Sequence, residues 1–301
     1  MKKLNFVLLA VENNDYQAEQ VTSAKAAADR LGIGLQIIHT EHDAIEQSQT
    51  VLELVQSKSE KRPNGILFEP VGTPLAQAAK AAAEAGIGWV VLNRQVIDYM
   101  PALRQQFRTP AFSVTTSHLD VGRIQGEQIA RLMPGGGCVL YIQGPSDNDA
   151  SIRRTAGMQS TKPANVEVRT LKGVWTEQSA YQAVAMWLKL SIAKELTLGC
   201  VAAQNDAMAL GARKAFQELA TGADRKHWQN LPFVGCDGLP KSGQAAVKRG
   251  LLAATVVIPP NAGRAVEALA NAMDKGTQPQ ECILTEPHSY PELAQLRPAL
   301  T

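Results

Sequence analysis

The chain has 301 residues and a formal net charge of +2, from 30 lysines and arginines against 28 aspartates and glutamates. With 45% hydrophobic and only 5% aromatic residues, it can bury sizeable cores of Ala, Val, Leu and Ile, which excludes the disordered and membrane-spanning classes. Its length suits two lobes better than one, and its evenly spread charges leave no basic footprint for nucleic acid.

The opening residues, MKKLNFVLLAVENN, imitate an export signal. Their apolar run from Phe6 to Val11 is too short for a signal core and ends at Glu12 without a small-residue cleavage site. The segment therefore reads as a first strand, leaving two origins open: an export signal already trimmed away, or a cytoplasmic protein.

From Leu4 to about Val114, short β-rich runs alternate with amphipathic helical stretches, the pattern of a parallel sheet covered on both faces. Strands are expected at 4–11, 34–39, 65–70 and 88–92. Between the first two, Val21, Ala24, Ala28 and Leu31 recur at helical spacing, and Gly32 is placed to end that helix. The alternation restarts with CVLYIQG at 138–144, VEVRTL at 166–171, CVAAQN at 200–205, FVGCDG at 233–238 and LAATVVI at 252–258.

The expected fold is thus α/β, two similar doubly wound parallel-sheet lobes joined by a multi-strand hinge. The extended run SVTTS at 113–117 and VIPP at 257–260 are expected to cross between lobes, and a helical tail at 261–275 to return to the first. That partition gives 1–115 with 259–285, and 116–258 with 286–301, with a ligand cleft between the two.

Cys138, Cys200, Cys236 and Cys282 are too far apart for a CxxC site, and the first three lie in apolar runs where a thiol acts as a small hydrophobe. All four are expected to be free, which mildly disfavours an oxidising compartment without excluding it.

In open parallel sheets the ligand crevice lies at the carboxyl ends of the strands. Just past the expected strands stand Asn13, Asn14, Asp15 and Tyr16; Asn93 and Arg94; Trp175; Gln204, Asn205 and Asp206; and Asp237. Arg153 and Arg154 open the helix after 138–144. Amides pair a donor with an acceptor, carboxylates offer two acceptors and guanidinium a rigid donor fork, a match for adjacent sugar hydroxyls. Tyr16 and Trp175 offer ring faces to the C–H face of a sugar.

Each residue also has a plainer reading. Asn14 and Asp15 suit an Asx turn, and Asp237 before Gly238 suits a simple turn. Arg153 or Arg154 suits a surface ion pair, and Asn205 or Asp206 a helix cap. Recurrence of such groups at the same structural position in both halves favours the ligand reading.

Taken together, VENNDYQ at 11–17, VLNRQ at 91–95, QNDAMALGA at 204–212, VGCDG at 234–238 and GLLAATV at 250–256 resemble the type I periplasmic binding proteins, in the ribose-binding-like branch that serves ABC sugar transporters. The resemblance covers nearly the whole chain. By position it implies ligand roles for Asn14, Tyr16, Asn93, Arg94, Arg154, Trp175, Asn205 and Asp237. It also implies a periplasmic monomer with no cofactor, no metal and no catalytic residue. Such a protein closes around a small sugar-like ligand, and an ABC permease, its only link to the membrane, reads the closed form.

The chain departs from the family at three positions. The acid of an Asp-Arg pair after the fourth strand falls on Asn93, a second loop aromatic on Gln17, and a hinge glutamine on Ile258. An unpaired buried polar group costs about 1–3 kcal/mol, enough to change which sugar fits, so sugar class is implied more firmly than ribose itself.

Rival readings are an effector-binding domain of a LacI-like regulator, an enzyme, and a receptor for a non-sugar ligand. LacI-like regulators carry a helix-turn-helix ahead of this fold, whereas here the first strand starts almost at Met1. For an enzyme, GxSxG, Walker, HExxH and helix-opening GxGxxG motifs are all missing. His39 and His42 form an HxxH that reads as a solvated loop, and Asp147 and Asp149 read as a polar loop. The two arginines leave room for a carboxylate or phosphate on the ligand.

Overall fold

The computed structural model describes residues 4–11, 15–40, 43–58, 60–72, 75–190, 196–221 and 225–298. The chain divides into two compact units, Met1–Thr116 with Pro260–Thr285, and Ser117–Pro259 with Glu286–Thr301.

In chain order the first unit runs β1 (Asn5–Ala10), α1 (Asp15–Leu31), β2 (Gly34–His39), α2 (Ala44–Gln56), β3 (Gly65–Phe68), α3 (Ala76–Glu84), β4 (Gly88–Leu92), α4 (Met100–Gln106) and β5 (Ala111–Thr116). The second begins with α5 (His118–Leu132), β6 (Gly137–Gln143), α6 (Asp149–Thr161), β7 (Val166–Lys172) and α7 (Glu177–Trp187). It continues with β8 (Leu198–Ala203), α8 (Asp206–Leu219), α9 (Arg225–Gln229), β9 (Phe233–Asp237), α10 (Gly243–Lys248) and β10 (Ala254–Val257). Then α11 (Asn261–Lys275) and β11 (Cys282–Thr285) rejoin the first unit, and β12 (His288–Tyr290) the second.

The first sheet has the order β11-β5-β4-β3-β1-β2 with parallel pairings. The second has the order β12-β10-β9-β8-β6-β7, parallel except for β12 against β10. Because helices cover both faces, the central strands are apolar throughout rather than alternating, and β3 and β4 are buried at every residue.

Alternate side chains of one strand feed separate cores. In the first unit Phe6, Leu8, Leu67 and Val90 pack with Ala24 and Ala28 of α1 and Ala265 and Leu269 of α11. Val7, Leu9, Ile66, Phe68 and Trp89 instead pack with Val51 of α2 and Ala79 and Ala82 of α3. A Cβ on Gly65 or Gly88 would come within 2.3 or 2.6 Å of the Leu269 side chain, so glycine lets α11 lie close on the sheet. The second unit repeats the arrangement, with Leu140, Ile142, Val201 and Ala203 on one face and Val139, Tyr141, Cys200 and Ala202 on the other.

Gly32 takes φ +66 just past the end of α1, the left-handed stop its position predicts. The buried side of α1, however, is Gln17, Gln20, Ala24, Ala27 and Ala28, while Leu31 is 46% exposed. Likewise, 113–117 is not merely a crossing. Its residues to Thr116 belong to β5, which pairs with β4 and β11 before the chain passes into the second unit.

In each sheet one strand has its two successors on opposite sides: β1 lies between β2 and β3, and β6 between β7 and β8. Successive crossovers leave such a strand in opposite directions, which opens a gap at its carboxyl end. Those two gaps are where polar side chains can gather without breaking a core.

Candidate functional site

At the first gap, Tyr16 in the opening turn of α1 donates its hydroxyl to Asn93 Oδ1 at 3.3 Å. Asn93 follows β4 in a left-handed conformation, φ 59, that asparagine tolerates better than most residues, and its N–H donates to the Val114 carbonyl at 2.9 Å. Its Nδ2 donates to Glu69 Oε1 at 3.1 Å, and Gln17 Nε2 donates to Glu69 Oε2 at 2.8 Å. Glu69 thus orients both amides and fixes which end of Asn93 faces Tyr16.

A carboxyl, Glu69, thus stands at the neighbouring strand end, bonded to the asparagine at position 93. Sequence reasoning overlooked Glu69 because the expected third strand ran to residue 70 and absorbed it, whereas β3 stops at Phe68. Arg94 is half-buried, and its Nη1 donates to the Gly72 carbonyl at 2.9 Å, tying the loop after β4 to the loop after β3. Asn14, like Asn13 and His42, lies outside the described residues.

At the second gap the central group is Arg154 on α6, 6% exposed. Its Nη1 donates to the Gln204 carbonyl and lies 3.8 Å from Asp237 Oδ1. Its guanidinium carbon sits 5.6 Å from the centre of the Trp175 ring, within cation–π range. Nε of the same side chain is buried with no partner among the described residues.

Trp175 has φ 65 and rests its indole against Gly144, where a Cβ would come within 2.4 Å of the ring. Asn205 caps α8, accepting from the Met208 N–H at 2.8 Å, and donates Nδ2 to the Trp175 carbonyl at 2.8 Å. The cap reading of Asn205 thus holds, and the amide keeps a second N–H and a second lone pair for other use. Arg154, Trp175, Asn205 and Asp237 form one contact network.

Gln204 is not a rim residue. Its Oε1 accepts from Gly144 N–H and the Ser151 hydroxyl, both at 2.8 Å, while Nε2 donates to Tyr141, Ser151 and Thr155. It braces the ends of β6 and β8 across the gap. Arg153 follows the plain reading, an exposed ion pair with Asp149 at 2.8 Å one turn away. Ile258 is buried, and its N–H donates to the Asp237 carbonyl at 3.0 Å.

Two carboxyls share the single guanidinium. Burial raises Asp206 well above the usual carboxylate range, with the charge of Asp237 adding to the effect. Burial also raises Asp237, to about 6, while Arg154 opposes the shift. Among the described residues no group of three or more His, Cys, Asp or Glu could hold a metal ion, and no helix is long and apolar enough to cross a membrane. The four cysteines are free; Cys138, Cys200 and Cys236 are buried and Cys282 half-buried.

Doubly wound units with planar polar groups and aromatics gathered at strand carboxyl ends define a solute receptor rather than a catalyst. Residues 6–278 match the model described as periplasmic binding protein domain, and the chain belongs to that family, whose members are ligand receptors rather than enzymes. It is 26% identical over 276 residues to the ribose import binding protein RbsB of Salmonella typhimurium, covering 91% of this chain and 86% of that one.

Two solved structures share the fold. One is a galactofuranose binding protein, with TM-score 0.77, 23% identity and coverage of 97% of this chain and 98% of that one. The other is an ABC transporter periplasmic solute binding protein from Actinobacillus succinogenes 130z with bound D-allose, with TM-score 0.79, 18% identity and coverage of 96% and 97%.

Proposed function

We propose that this solute receptor takes a monosaccharide or a closely related polyol and delivers it to an ABC importer from the periplasm. The observation that carries the reading is the network of Arg154, Trp175, Asn205 and Asp237 at the β6/β8 gap. It combines a donor fork, a carboxylate acceptor, an amide and a ring, the set that neighbouring hydroxyls and a C–H face require.

In this reading Tyr16, Asn93 and Arg94, with Asn14, form a second half-site on the other lobe, and the solute is held when the two lobes come together. Binding then selects a closed form over an open one, and a permease reads closure as its signal. The sugars named for the relatives support the class of ligand. Glu69 in place of an acid at position 93 argues for a sugar whose hydroxyl pattern differs from ribose, because it moves the acceptor to a different strand end.

The test is a thermal-shift panel of pentoses, hexoses, polyols and sugar acids on the purified chain, with mass spectrometry of whatever co-purifies. At 100 times Kd a ligand stabilises the bound form by about 2.7 kcal/mol, so one sugar or polyol is expected to raise the melting temperature clearly. A panel in which only anionic ligands do so contradicts the sugar assignment.

A further inference from the structure

Behind Asp237 stands a second carboxyl that no ligand role requires. Asp206, the first residue of α8, is 4% exposed. Its Oδ2 accepts the Gly238 N–H at 2.8 Å and its Oδ1 accepts the Thr255 hydroxyl at 2.6 Å. A Cβ on Gly235 would come within 2.1 Å of Oδ1, and one on Gly243 within 2.0 Å of Oδ2. One carboxyl therefore ties the start of α8 to the turn after β9 and to β10, packed closely against Gly243 of α10.

Its bond to Gly238 falls on an unusual turn. Asp237 and Gly238 are both left-handed, with φ 97 and 58. Glycine adopts that conformation freely, but for aspartate it is strained and persists only where the surroundings hold it. The Gly238 N–H held by Asp206, and the Asp237 carbonyl held by the Ile258 N–H at 3.0 Å, supply that hold from either side.

We propose that Asp206 is a positioning residue for Asp237: it holds the left-handed turn that aims the Asp237 carboxyl. The inference rests on the reading of Asp237 as a solute acceptor. The titratable or charged groups that face Asp206 among the described residues are Asp237 and Cys236 from β9 and Arg154 from α6. From β10 and α10 come Thr255 and Gly243, neither charged.

One guanidinium cannot offset both a buried carboxylate at Asp206 and a half-buried one at Asp237. The more deeply buried Asp206 keeps the proton, and Asp237, raised only to about 6, is ionised at neutral pH and free to accept hydroxyl donors. Both groups bind protons more tightly folded than unfolded, where their ordinary value is 3.8. Their stabilising contribution is fully present below that value and is lost as pH rises through the folded values.

The experiment compares wild type with Asp206→Asn and Asp206→Ala in two measurements. Asparagine can still accept the Gly238 N–H through Oδ1 while its Nδ2 donates to the Thr255 hydroxyl, reversing that bond as a protonated acid would, and it stays uncharged at every pH. In ligand-free melting curves from pH 5 to pH 8, Asp206→Asn is expected to gain on wild type steadily as pH rises. A difference that stays constant with pH overturns the proton assignment.

In titrations with D-ribose, D-allose and L-arabinose at pH 7, Asp206→Asn is expected to bind within about twofold of wild type and Asp206→Ala at least about tenfold more weakly. Wild-type affinity in Asp206→Ala overturns the positioning role. If Asp206→Ala does not fold, Thr255→Val, which removes one of the two bonds, is expected to weaken binding about threefold, and unchanged affinity overturns the role. Wild-type binding by Asp237→Asn faults the site reading instead. The pH measurement needs no ligand and decides the proton assignment on its own.

Discussion

The two switch-point clusters are built from different chemistry. At the end of β1 and β3, Tyr16, Gln17 and Asn93 are held around Glu69 by hydrogen bonds of 2.8–3.3 Å in a half-buried setting. At the end of β6 and β8, a buried guanidinium lies near a ring and the Asp237 carboxyl, with the buried Asp206 carboxyl behind. The first arrangement can re-pair its amides with water or ligand at small cost. The second is fixed by buried charge, and removing one member leaves the others uncompensated.

That contrast sets the order of expected effects. Arg154→Ala should be the most damaging, because it strands the ionised Asp237 without a cation and removes the donor to the Gln204 carbonyl. A stability loss of about 3–5 kcal/mol in guanidinium unfolding is expected, together with loss of sugar binding. A loss below about 1 kcal/mol would mean that solvent already screens the pair.

Glu69→Gln keeps the shape but replaces an acceptor pair with a mixed amide, so one of its two neighbours loses its partner. A stability change of about 1 kcal/mol and roughly tenfold weaker solute binding are expected, read by calorimetric titration. An unchanged affinity would reduce the first cluster to a structural brace. Asn205→Ala removes the α8 cap and should cost about 1 kcal/mol. Arg153→Ala, one helical turn from Asp149 on the surface, should change melting by less than about 0.5 kcal/mol equivalent.

Much of the fold was readable in the sequence because strands buried on both faces leave continuous apolar runs that stand out between amphipathic helices. Those runs marked β1, β4, β6 and β9 closely, while the little-buried edge strands β2 and β7 were placed by the strand–helix alternation instead. What escaped had a physical reason. The polar half of β5, SVTT, looks like a connector, yet Ser113, Thr115 and Thr116 are buried, and Thr116 bonds Thr285 on β11 at 2.6 Å. The edge strands β11 and β12 are only partly buried and, at four and three residues, too short to stand out.

Helical periodicity likewise counted Leu31 as core and passed over Gln17 and Gln20, whose burial is offset by polar partners such as the Ala262 N–H on Gln20 Oε1 at 2.8 Å. At the candidate site, residues that lie directly past a strand end, such as Asn93, Asn205 and Asp237, could be picked out from strand boundaries alone. Glu69 and Asp206 show where that method stops. Their importance comes from partners distant in sequence: Gln17 and Asn93 for the first, Gly238 and Thr255 for the second.

The central claim, that the guanidinium–carboxyl–ring cluster receives a sugar, is tested most directly by calorimetric titration of wild type and Asp237→Asn with the sugar that stabilises wild type most. The account predicts saturable binding by wild type and a loss of roughly ten- to a hundredfold in the variant, since a hydrogen bond to a charged acceptor is worth about 1.5–3 kcal/mol. Equal affinity in the two proteins would contradict it.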